Sequence, residues 1–331
     1  MKIKICALLI LGLVFLSPVI YSQYIHLKDN FTQPLVGQFP VTVDSVNEVI
    51  VEDERVDAYF ENLSSSYSLS STIFSSFNKL DEVLSTLVIS ISEISGGRTL
   101  ALVSGETLVR IPAGLRKEEI VELFAKALKW SEEEKKIFLT PQDGQELPLS
   151  EGSFSPGIYT VGLRSTPQEV QSLVNRRFQD NVLARYSTST AKLVPLKTAL
   201  TIASLIQRET LETDDMRLVS GIIWNRIFAD MNLQLDATLQ YSKNAGKQVA
   251  PWWPKVRSQD KFIKSPYNTY MYKGLPPSPI ANPSVVAIIA ALNPLKTACL
   301  FYFHDRKGDM HCTATYKEHV SLLKKYYGRG S

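Results

Sequence analysis

Four histidines and three cysteines in 331 residues leave this chain little with which to hold a metal. No H-E-x-x-H occurs, which excludes the zincin pattern, and no two cysteines form a C-x-x-C pair. Three cysteines are also too few for a disulfide scaffold. An excess of one charge is lacking too. The 36 Lys and Arg face 33 Asp and Glu, a net of +3 without a basic run, so no nucleic-acid partner is expected. There is no G-x-S-x-G. S-x-x-K occurs at Ser76, Ser189, Ser258 and Ser321, but neither S-D-N nor K-T-G accompanies it, and a serine-rich chain produces such matches by chance. What remains is carboxylates, hydroxyls and amides. Apolar residues make up 44 % and charged ones 21 %, which excludes disorder along most of the chain. The length predicts roughly two domains. Neither a cofactor nor a metal is expected.

Lys2 and Lys4 precede an uncharged stretch from Ile5 to Leu27, apolar until about Ile20. Positive charges ahead of an apolar run make an export signal, so the chain beyond about residue 28 is expected outside the cytoplasm. Cleavage after Ser22 would release it, although Ile20 is large for that site. Uncleaved, the segment is long enough for one membrane-spanning helix.

Residues 28–95 read as a poorly specified stalk, with twelve serines between Ser64 and Ser95 and a short helix from about Asn78. From Leu100 to Ile111 the pattern alternates like strands around a turn at Ser104-Gly105. Arg116–Leu128 carries Ile120, Leu123, Phe124 and Leu128 on one helical stripe. Residues 96–150 are therefore expected to form a small α+β module. Glu151–Tyr159 is a turn-rich connector, and Thr166-Pro167 opens a helix running to about Leu183. The remainder, 151–331, reads as mainly helical. Pro195 opens a helix through Glu209, and Thr213 caps another through about Phe228. A long irregular stretch follows, then a wholly apolar helix from Pro283 to Leu292. Cys299–Phe303 and Cys312–Thr315 form a hairpin, and Val320–Tyr327 is a closing helix. A turn near Lys307 would set Cys299 and Cys312 about three residues out of register, so two separate thiols are expected.

On the Pro195–Glu209 helix, Thr198, Ile202, Leu205 and Glu209 share one stripe, which puts Glu209 on an apolar face. Desolvation raises a carboxyl's pKa and suits it to general acid catalysis. The competing reading is a solvated helix end, or a pair with Arg226. Pro266-Tyr267-Asn268-Thr269-Tyr270 offers hydroxyls, an amide and aromatic faces, the contacts sugars need. The alternative is a packed connector. Asp236 is a second acid, a loop support or, most often for such a position, a helix cap.

Together these motifs resemble the YceG-like endolytic murein transglycosylases. The resemblance runs through Ile202–Thr210, Asn225-Arg226, Leu233–Asp236, Ser265–Tyr270, Gly274–Pro283 and Glu318-His319, in order over residues 195–327. Glu151–Tyr159 resembles the connector before that family's catalytic domain, and residues 97–128 look like its small LysM-like substrate module. The resemblance implies an α+β fold, with a small LysM-like module ahead of a mainly helical catalytic domain that ends in a β-hairpin. It implies an inner-membrane enzyme, anchored by one N-terminal helix, that cuts peptidoglycan strands internally. Wall-synthesis enzymes are its candidate protein partners. The family's catalytic acid falls on Glu209, with Tyr267, Asn268, Asp236 and Asn225 as substrate-binding residues. Gln207 stands where the family usually has an acid, and Leu235 where it has Thr or Ser. The histidine of its Gly-Gly-His falls one place later, in Gly308-Asp309-Met310-His311. These exchanges motivate a second hypothesis, a glycan-binding protein that keeps the fold without the chemistry.

Overall fold

The computed structural model describes residues 37–61, 105–140, 150–210, 212–244 and 251–328. The apolar N-terminal segment, the serine-rich stretch and the helix expected from Asn78 lie outside them. Among the described residues no helix is long and apolar enough to cross a membrane.

Two cores organise the chain. The smaller is built on strand β3 (Glu106–Ile111), following a short hairpin of β1 (Val43–Asp44) and β2 (Val49–Ile50). Its partner is β4 (Gly157–Gly162), antiparallel from Glu106↔Gly162 to Ile111↔Gly157. The strand expected around Leu100 lies outside the described residues, and the observed partner comes from the segment read as a connector. Glycines at both ends of β4 hid it, since they signal turns as strongly as strand ends. This sheet thus takes one strand from each side of residue 150. Helix α1 (Lys117–Leu128) lays Ile120, Val121, Phe124 and Ala125 on it, as the helical stripe requires. Helices α2 (Glu132–Leu139) and α3 (Pro167–Asn181) complete the layer. Phe124 meets the rings of Trp130, Phe138 and Tyr159 at 5.5–6.2 Å between centroids. Thr166 and Glu169 form the capping box that starts α3, with Pro167 in its first turn.

The larger core is helical. After the short α4 (Thr188–Leu193), α5 (Leu196–Glu209) packs against α6 (Thr213–Phe228) and α8 (Val285–Leu292). Helix α8 consists only of Val, Ala, Ile and Leu and is buried from Ala287 to Leu292, as an all-round apolar helix must be. The Trp224 indole donates to the Ala291 carbonyl at 2.9 Å. A Cβ on Gly221 would stand 2.2 Å from the Leu295 carbonyl, so α6 needs glycine there for the chain leaving α8 to pass. Helix α6 starts one residue earlier than expected, with Glu212 rather than Thr213 as its cap. The stretch read as irregular contains α7 (Asp236–Asn244) and a 3₁₀ turn at Ser258–Phe262.

The C-terminal hairpin is β5 (Phe301–His304) and β6 (Met310–Thr313), followed by α9 (Tyr316–Tyr327). A capping box between Thr315 and Glu318 starts α9 earlier than the Val320 expected. The expectation for the cysteines is overturned: Cys299 and Cys312 form a disulfide, with Cα atoms 5.7 Å apart. Register counting holds only while both strands stay extended. Cys299 precedes β5 in an irregular segment, where its N–H turns back to the Thr297 hydroxyl at 3.1 Å.

One buried clip joins the two cores. Asn282 is fully buried, and its Oδ1 accepts from the N–H groups of Gly152 and Phe154, both at 2.9 Å. Its Nδ2 donates to the Leu115 carbonyl at 3.0 Å and to Glu151 Oε1 at 2.6 Å. Gly152 has φ +95°, and a Cβ there would meet Pro279 at 2.7 Å, so the turn requires glycine.

Candidate active site

Glu209 is the last residue of α5, on the stripe of Ile202 and Leu205, which are fully buried. The residue as a whole is half-buried, and Oε2 accepts a 2.9 Å hydrogen bond from the Tyr302 hydroxyl on β5. Burial pushes its pKa up. The Tyr302 bond pulls it down, the charge of Asp236 pushes it up again, and Arg208 and Arg226 pull it down, leaving a net rise. The C-terminal end of a helix dipole disfavours a carboxylate in the same sense.

Arg226 does not pair with Glu209. Its guanidinium is buried and donates to backbone carbonyls: Nε to Leu300 at 2.7 Å, and Nη1 to Leu233 at 2.5 Å and Asn232 at 3.4 Å. One side chain on α6 therefore fixes both the entry to β5, which carries Tyr302, and the entry to α7, which carries Asp236. Asp236 is exposed in the first turn of α7 and accepts from the Tyr270 hydroxyl at 2.7 Å. This favours loop support among its open readings. Thr269 fastens the same loop. Its carbonyl accepts from the Gln234 N–H, and its hydroxyl accepts from the Leu235 N–H at 3.0 Å and meets the Thr238 hydroxyl at 2.9 Å.

Glu209 and Asp236 are therefore brought within electrostatic reach of each other. The other expected sugar contacts serve the scaffold. Asn268 is corrected outright: it is 0 % exposed, and its amide donates to the carbonyls of Lys261 and Ile263 while its Oδ1 accepts from the Tyr270 N–H. A loop with few backbone partners of its own recruits an amide in this way. Asn225 donates to the carbonyls of Thr297 at 2.7 Å and Cys299 at 3.1 Å, which holds the segment before β5. Tyr267 shares a 2.7 Å hydrogen bond with Ser278 and packs its ring 4.7 Å from that of Tyr241. Tyr302 and Tyr270 were not singled out from the sequence. Tyr270 stood inside the motif without a role, and Tyr302 gave no signal, because only the hairpin's placement brings it to Glu209.

The two exchanged positions have packing roles. Gln207 is buried and its amide oxygen accepts the Ser284 N–H that opens α8, the bond a carboxylate oxygen would also make. Leu235 lies in the larger core. His311 contacts Asp305 at 3.0 Å across the hairpin turn.

A family model of the YceG-like family matches residues 79–325, and so takes in the helices, the loop and the hairpin that build this cluster. The chain belongs to the YceG-like family. It is 40 % identical over 127 residues to the endolytic murein transglycosylase of Bacillus subtilis, a match covering 38 % of this chain and 34 % of that protein. To the endolytic murein transglycosylase of Streptococcus pneumoniae it is 30 % identical over 170 residues, covering 51 % of this chain and 31 % of that protein. The matches thus span about a third of the length of these relatives. A crystal structure of a YceG-like protein from Listeria monocytogenes superposes with a TM-score of 0.56 at 25 % identity, covering 73 % of this chain and 80 % of that one.

Proposed function

We propose that this chain is a lytic transglycosylase of peptidoglycan, cleaving within glycan strands at the β-1,4 bond between N-acetylmuramic acid and N-acetylglucosamine. The observation that carries the reading is a desolvated glutamate, Glu209, held by a phenol, while Asp236, the carboxylate nearest in its surroundings, is committed to Tyr270. Hydrolytic glycosidases generally need two working carboxylates. One suffices when the nucleophile is the muramyl sugar's own 6-hydroxyl. Glu209 gives its proton to the glycosidic oxygen as the bond from the anomeric carbon breaks. It then takes the proton of the 6-hydroxyl as that oxygen bonds to the anomeric carbon. The product is a 1,6-anhydro end, no water is consumed, and the glutamate is restored. The activity named for the Bacillus and Streptococcus relatives supports this reading.

Digestion of uncrosslinked glycan strands, with mass spectrometry of the ends, tests it. Shorter strands ending in 1,6-anhydro-muramic acid are expected. Hydrated reducing ends would make the protein a hydrolase and Asp236 its second carboxylate. Binding without shortening would favour the glycan-binding alternative, although the packing roles of Gln207 and Leu235 remove the reason for it.

The same reading extends to the surroundings of the site. The module on β3 and α1 would act as a LysM-like glycan holder. The segment from Lys2 to Leu27 would anchor the enzyme in the inner membrane, near wall-synthesis enzymes. The protein should then stay with membranes in high salt and leave only with detergent, since hydrocarbon burial is indifferent to ionic screening. A soluble protein beginning at Gln23 would refute the anchor and leave the chemistry standing.

A further inference from the structure

We propose that Tyr302 is a positioning residue for Glu209, aiming and partly charging its carboxyl, and that the Cys299–Cys312 disulfide keeps Tyr302 in place. The proposal rests on Glu209 being the catalytic acid. It begins from the hairpin's register, in which Tyr302 stands directly opposite Cys312. Directly opposed residues of an antiparallel pair project from the same face of the sheet. Cys312 therefore emerges beside Tyr302, on the face that delivers the hydroxyl to Glu209 at 2.9 Å. Its sulfur is bonded to Cys299, three residues before Tyr302 along the chain. The backbone between is held by α6, through Asn225 to Thr297 and Cys299 and through Arg226 to Leu300. The strand carrying Tyr302 is thus pinned to α6 by hydrogen bonds and to β6 by a covalent bond. Helix α5, which carries Glu209, supplies neither fastening.

This arrangement matters because the carboxyl has two tasks. It must face the glycosidic oxygen as an acid, and it must then exist as a carboxylate before the 6-hydroxyl proton arrives. A phenol donating to Oε2 fixes the orientation and stabilises that carboxylate. The other charged and titratable groups acting on Glu209 are Asp236 on α7 and Arg208 and Arg226 on α5 and α6. Tyr270 stands next to Asp236, whose oxygen it binds. Of these, Tyr302 alone is hydrogen-bonded to the Glu209 carboxyl among the described residues. Burial holds the Tyr302 phenol well above its ordinary range, so it stays a donor at every pH at which the enzyme would work.

Three variants of the full chain test the proposal on uncrosslinked glycan strands: Tyr302→Phe, the double Cys299→Ser/Cys312→Ser, and all three substitutions together. Tyr302→Phe keeps the ring and removes only the donor. Its turnover should fall about tenfold, the worth of one hydrogen bond to a charged group, with KM little changed. Losing a donor to the carboxylate raises the Glu209 pKa, so the alkaline limb of the pH–rate profile should move to higher pH. The double serine variant, assayed well below its own melting temperature, should move the same limb in the same direction. The triple variant should be no slower than Tyr302→Phe alone, because the disulfide acts through the phenol. An unmoved pH profile in Tyr302→Phe overturns the role of Tyr302. Effects of the disulfide and of Tyr302 that multiply in the triple variant overturn the link between them. A fully active Glu209→Gln would refute the underlying assignment of the acid, a result distinct from either.

Discussion

Glu209→Gln should lower glycan-cleaving turnover by about 10²- to 10⁴-fold, the usual worth of general acid–base catalysis, and leave strand binding and thermal stability near those of the wild type. The substitution changes almost nothing but the proton. An amide has nearly the carboxyl's shape, and its oxygen still accepts from the Tyr302 hydroxyl, which lies 2.9 Å from Oε2. Ile202 and Leu205, on the same stripe of α5, keep their packing in the larger core. Replacing a desolvated ionisable group by a neutral one also removes a cost of burial, so no loss of stability is expected. Turnover should fall without a change in KM, because the acid acts as the bond breaks and contributes little to ground-state binding. Initial rates on defined strands and co-sedimentation with peptidoglycan measure the two quantities separately. Cleavage at the wild-type rate would move the active site elsewhere in the chain. Loss of binding together with activity would make Glu209 a contact residue rather than the acid.

Glu209 was legible in the sequence because its position depends on one helix alone. A stripe at offsets of 4, 7 and 11 residues is decided by local geometry, and Pro195 and Glu209 bound α5 where the pattern begins and ends. The capping boxes that start α3 and α9 are of the same kind, each set by residues three apart in the chain. Strand partners are not local. Nothing within Gly157–Gly162 indicates that it joins a strand some fifty residues upstream. Asn268 misled for a related reason, because an amide in a motif reads alike whether it faces a ligand or the carbonyls of its own loop. Tyr302 and the disulfide depend on where α6 holds the chain entering β5, which only the fold specifies. The motif residues fall into two sets accordingly. Glu209 and Asp236 come together around the site, while Asn225, Arg226, Asn268 and Thr269 build the frame that brings them there.

Asn282→Ala should destabilise the protein by about 2–6 kcal/mol at neutral pH, because it removes four hydrogen bonds at once and leaves two buried N–H groups without an acceptor. The buried N–H groups of Gly152 and Phe154 lose their acceptor, while the Leu115 carbonyl keeps the Asn282 N–H and Glu151 Oε1 keeps the Lys117 N–H. Each buried group left unsatisfied costs about 1–3 kcal/mol. Glu151 gives the loss a pH dependence. Burial first, and then the charge of Glu118, push its carboxyl up to about 8, against opposing pulls from Arg116 and Lys117. A raised folded value means that its contribution to stability is fully present below the ordinary 4.5 and is lost as pH rises through about 8. The Asn282 amide, donating to Oε1, limits that loss by favouring the ionised form. Without it the carboxyl is pushed higher still, so the penalty of Asn282→Ala should grow from pH 6 to pH 9. The defect should also reach the site. Asn282 lies near the end of the Gly274–Pro283 run, in which Ser278 meets Tyr267 and the Ile280 N–H donates to Ser204 on α5 at 3.0 Å. Urea melts of the wild type and the variant across that pH range measure both claims. A penalty below about 1 kcal/mol would show that the turn at Gly152 holds itself, and a penalty independent of pH would detach Glu151 from the clip.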